Sequence, residues 1–174
     1  MLASTISAGV IGGVLAANLR LHLGLPGHKI LLWMTPIIIA RLLGRCPAGC
    51  TVGTLSAGFA CLASGGNLAG GVLGLPLAGL GAVIQDTVVK LLEDKSAPAF
   101  IGIPAIGITA MVAGILLFIK RSFLPDGLAP HSIFGSADLP FELASYAAFG
   151  LISGLIASAV AYLVTRQRGL PCRS

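Results

Sequence analysis

Six long apolar runs divide this sequence, at residues 2–19, 30–43, 47–63, 68–92, 98–119 and 141–165, and most of its charges fall between them. A span of the hydrocarbon core of a bilayer needs about 20 mostly apolar residues. Only 10% of the 174 residues are charged and 56% are hydrophobic, where a soluble domain carries about 25% charge. With a mean hydropathy of +0.97, too little polar surface is left to coat a globule in water. Disorder and an ordinary soluble enzyme are excluded. The expectation is an all-α, polytopic membrane protein: a single transmembrane domain over 1–174, built as a bundle of about six helices.

Helices follow from the solvent, because backbone groups in lipid must be paired within the segment. A small β-barrel would show runs of about ten residues with apolar/polar alternation, and these runs are apolar on both parities. The second run is the awkward one. Its 14 residues reach only about 21 Å of a roughly 30 Å core, and it contains Pro36. Either Lys29 and Arg41 snorkel to opposite interfaces, or the second and third runs form a tilted or re-entrant pair. The first run has no Lys or Arg before it, so it reads as a retained span rather than a secretory signal.

The net charge of +5 bears on topology and anionic headgroups rather than on nucleic acid. With six spans and both termini inside, Arg41, Arg45, Lys90, Lys95, Arg166, Arg168 and Arg173 face the cytoplasm and Arg20, Lys29, Lys120 and Arg121 the exterior. That count favours cytoplasmic termini in an inner membrane. Arg20 and Lys29, following a first span with nothing basic before it, argue locally for the reverse. The connection 121–140 is rich in turn formers and reads as a surface loop, with Asp138 and Pro140 placed to start the last helix.

Small residues recur every four positions in the first run, at Ala8, Gly12 and Ala16 and again at Gly9, Gly13 and Ala17. Lipid gives apolar helices no hydrophobic reason to associate, so close approach across such a face is what brings another helix in. The neighbour is a helix of this chain or another membrane subunit. Polar residues inside the runs are the second signal, since charge there is expensive and faces a cavity or a partner. Gln85, Asp86 and Lys90 lie late in the fourth run, with Asp86 and Lys90 four apart and able to pair on one helix face. Asn67 precedes that run, and Glu142 and Tyr146 stand four apart in the sixth. These six are the candidate substrate-binding residues.

Cys46 and Cys50, with three residues between them, lack the four-ligand spacing of a structural zinc site, and Pro47 and Gly49 suit a helix start better. No metal or cofactor is expected, although a lone His such as His22 or His28 would suffice to ligate a haem or pigment. The sequence contains no phosphate-binding glycine loop with its Lys, no paired His-Glu metal helix and no usable serine nucleophile turn. No catalytic residue and no enzymatic activity are expected.

Six short Gly- and Ala-rich helices, an every-fourth small-residue face on the first and a long loop before the last resemble the substrate-binding S component of energy-coupling-factor (ECF) vitamin transporters. The resemblance implies that Ala8, Gly12 and Ala16 contact a transmembrane coupling subunit. It also implies that a hydrophilic solute sits under the loop 20–29, near Asn67, Gln85, Asp86, Lys90 and Tyr146, with ATP used by partner subunits. The competing expectation, from the packing faces alone, is an accessory structural subunit of a larger respiratory, photosynthetic or transport complex.

Overall fold

The computed structural model describes residues 2–19, 27–66, 74–123 and 139–167, with 120–123 as backbone only. Among the described residues the chain is all helix: α1 (Leu2–Asn18), α2 (Ile30–Gly44), α3 (Gly49–Ala63), α4 (Leu75–Asp94), α5 (Ala99–Phe123) and α6 (Leu139–Gln167). The six apolar runs correspond to these six helices. Three of them, α4, α5 and α6, are long and apolar enough to cross a membrane. The other three, with 17, 15 and 15 residues, reach only about 22–26 Å at 1.5 Å per residue.

Glycine sets the packing of the short helices. A Cβ added at Gly9 would collide with the Gly53 carbonyl, and one at Gly13 with the Ala57 carbonyl. The two contacts advance together along both helices, so α1 and α3 run parallel with their backbones touching. A Cβ at Gly12 would stand 2.8 Å from the Trp33 Cα of α2, which lies on the other side. The small-residue face is therefore filled from within: Gly12 and Ala16 are buried and Ala8 is half-buried. This corrects the expectation that Ala8, Gly12 and Ala16 present a flat face to another subunit. What α1 turns outward is its bulky side, including Ile6, Ile11 and Leu15.

The second half uses the same device. Cβ atoms at Gly114 and Gly150 would strike the carbonyls of Tyr146 and Ala110, which fixes α5 and α6 as an antiparallel pair. α4 leans on α5 where Gly81 meets Ala113. Between the halves lies α2, in contact with α1, α3 and α6 and burying Trp33, Met34, Ile37 and Ile38. Pro36 removes one donor from its ladder. Beside it, the Thr35 and Ser153 hydroxyls share a hydrogen bond of 2.9 Å across to α6. A polar tie of this kind between apolar helices is worth on the order of 1 kcal/mol.

The alternation of helix directions gives the bundle two distinct ends. One gathers the α2–α3 turn, the α4–α5 turn and the end of α6. The other gathers the start of α2, the end of α5 and the start of α6. At the first end Arg45 closes α2 in the left-handed region (φ 49°), its N–H donating to the Arg41 carbonyl at 2.9 Å.

Candidate functional site

The buried ionisable groups meet at the first end. Arg41, in the last turn of α2, is completely buried. Its Nε donates to Asp86 Oδ1 of α4 at 3.3 Å, and its Nη1 and Nη2 donate to the two oxygens of Glu93 at 3.0 and 3.2 Å. The pairing with Glu93 is the two-pronged arrangement that a planar guanidinium favours. Asp86 and Glu93 are seven residues apart, two turns of one helix, so both reach the same side of α4.

Asp86 serves a second helix at the same time. Its Oδ1 accepts from the Cys50 backbone N–H at 2.9 Å, and its Oδ2 accepts from the Thr51 N–H and hydroxyl at 2.8 Å each. These amides belong to the first turn of α3, where N–H groups have no partner within the helix. Ala48 precedes that turn and supplies no side-chain cap. The cap comes instead from α4, and a carboxylate there also opposes the positive end of the α3 dipole.

Counting lone pairs decides what this cluster can do. An ionised carboxylate offers about four acceptor positions, and Asp86 has all four taken by Arg41, Cys50 and Thr51. It has no acceptor position left for a solute while the cluster is intact. The geometry is that of a latch holding α2, α3 and α4 together at one end, with Glu93, whose side chain is 43% exposed, as its wet member.

The residues expected to bind a solute are spread over the bundle. Lys90 is exposed on the outer side of α4, so the expected Asp86–Lys90 pair is replaced by Asp86–Arg41. Arg offers a fork that matches the carboxylates in a closed environment, whereas Lys90, four residues on, is free to extend to solvent. The expectation that Arg41 snorkels to an interface is overturned for the same reason. Gln85 is buried in the middle of α4, and its Nε2 has no acceptor among the described residues. Asn67 lies outside the described residues.

Glu142 and Tyr146 are at the other end, in the first turns of α6, both half-buried. Tyr146 tilts its ring against Phe118 of α5, with centroids 6.0 Å apart, and backs onto Gly27 before α2. Gly27 has φ +81°, where a side chain would be strained. Ser145 is buried beside them. The structure thus joins Glu142 and Tyr146 in one region and separates them from Asp86.

The latch members Arg41, Thr51 and Glu93 were not among the expected site residues. The spacing of Asp86 and Glu93 was the available signal, since two acids on one face of an apolar helix need a cation from elsewhere. Cys50 enters through its backbone N–H, which sequence spacing of thiols does not signal. Comparison with known protein families, with curated proteins and with solved structures finds no match to this chain.

Proposed function

We propose that this chain is a multi-pass membrane component that captures a small hydrophilic solute at its Tyr146 end and works with partner subunits that supply the energy. The observation that carries this reading is the inequality of the two ends. One is closed by an ion cluster with no acceptor to spare. The other brings Glu142, Ser145, Tyr146 and Phe118 to the end where α2 and α6 start and α5 finishes. Exposed Arg45, Lys90, Lys95 and Arg166 at the latch end favour a cytoplasmic position for it, which turns the Tyr146 end outward. The likeness to ECF S components points the same way.

A second reading, an accessory structural subunit, is favoured by the short α1–α3 half. Helices of 15–17 residues mismatch an average bilayer and would be matched by neighbouring protein. A thermal-shift screen of the chain in mild detergent against water-soluble vitamins tests the first. The expectation is one stabilising compound, with Tyr146→Phe and Glu142→Gln each weakening its affinity about tenfold, the scale of one lost hydrogen bond to a bound solute. If no compound stabilises the chain and it copurifies with a large membrane complex, the accessory reading takes its place.

A further inference from the structure

The α5–α6 pair is tight along much of its length and open at the latch end. A Cβ at Gly154 would sit 2.7 Å from the Ile106 carbonyl, whereas one at Gly102, a turn further toward the start of α5, meets nothing within 4 Å. The helices part there, leaving an open groove of about 190 Å³ lined by Leu42 of α2, Gly102 and Ile103 of α5, and Ala161 and Tyr162 of α6. Ser158 and Thr165 also line it, but their hydroxyls donate to the carbonyls of Gly154 and Ala161 in their own helix, at 2.7 Å each. The groove is therefore mostly apolar and, apart from the Tyr162 hydroxyl, its side chains offer no free hydrogen-bond donor.

We propose that this groove seats one acyl chain of an anionic phospholipid from the leaflet at the latch end. Shape and charge select that occupant. A wedge about two turns long holding about 190 Å³ has far less room than two turns of a helix roughly 10 Å across, and suits a flexible chain. Around its rim the sequence sets Arg45 one turn past Leu42, Lys95 four residues before the lining residue Ala99, and Arg166 directly after Thr165, all three exposed. Glu93, the nearest acid to Lys95 apart from Asp94, is taken up by Arg41. With Asp94 offsetting one of the three cations, the rim keeps a surplus of two positive charges, which draws anionic lipid where such an end meets the headgroups, and Tyr162 suits the amphipathic role of an interfacial tyrosine. The inference rests on residence in a bilayer and not on solute capture.

Native mass spectrometry of the full chain, released from mild detergent in the presence of phosphatidylglycerol or phosphatidylcholine with identical chains, tests it. The expected result is one retained phosphatidylglycerol, with occupancy at least fivefold above phosphatidylcholine. Gly102→Leu, whose Cβ meets nothing within 4 Å and whose side chain takes up space in the groove, should lower that occupancy at least fivefold. Gly79→Leu, whose side chain also enters open space but on α4, should leave it unchanged. The combined Arg45→Gln, Lys95→Gln and Arg166→Gln variant should erase the headgroup preference, and it supplies the answer if Gly102→Leu fails to fold. Equal retention of both lipids, or wild-type occupancy in Gly102→Leu, overturns the proposal. So does equal loss in Gly79→Leu, or a dimer whose formation Gly102→Leu abolishes. A chain that stays folded and monomeric in buffer without detergent defeats the bilayer reading itself, a distinct result.

Discussion

The two ends of the bundle are built from the same helices and treat polar groups in opposite ways. At the Arg41 end, charges from α2 and α4 are driven together with the first turn of α3, and the result is saturated. At the Tyr146 end, a carboxylate, a phenol and a hydroxyl on α6 lie near an aromatic neighbour and a glycine turn. The difference teaches that ionisable residues in an apolar chain need not mark the place where it meets a ligand. Charge buried in such a chain is neutralised first, and the strongest electrostatic feature here is spent on holding helices. The milder polar groups of α6, Glu142 and Tyr146, lie at the other end, half-buried rather than sealed.

Substitutions that separate the ends can break this contrast. The largest effect is expected for Asp86→Asn. It removes the charge opposite Arg41 and substitutes an amide that cannot accept on both sides, leaving a buried guanidinium and α3 amides short of partners. Breaking a buried pair from one side costs about 3–5 kcal/mol, to be read from unfolding in mixed micelles. A wild-type midpoint would mean that the cluster holds nothing. Glu93→Gln should cost less, about 1 kcal/mol, because its side chain is 43% exposed and water screens and replaces part of the interaction. Lys90→Gln is expected to change stability by no more than about 0.5 kcal/mol. A loss comparable to that of Asp86→Asn would restore the Asp86–Lys90 pairing that helix spacing alone suggests.

Most of the architecture was legible because lipid restricts a chain so severely. Apolar run length and backbone satisfaction point to the number of helices and to their boundaries within a few residues, apart from α4, whose run begins in residues outside those described. The candidate site was harder to read. Helix periodicity offers Asp86 the residue four places on, but cannot weigh it against an arginine 45 positions earlier, whose approach depends on how α2 and α3 fold back on α4. The small-residue face of α1 was visible as a packing surface. Nothing in its spacing distinguishes a carbonyl of Gly53 in the same chain from the backbone of another subunit, since either satisfies the same demand for close approach. Arg41 was misplaced because a lone basic residue near the end of a short apolar run is ordinarily interfacial, and only its two distant acids make burial tolerable.

Capping in trans has an implication for biogenesis. The turn that begins α3 is completed by a side chain synthesised 36 residues after Cys50, so the α2–α3 hairpin emerges from the ribosome with its inner corner unfinished. Until α4 arrives, an arginine and a row of bare amides at that corner disfavour deep burial, keeping it near water. The corner can therefore close only once Asp86 and Glu93 have been made.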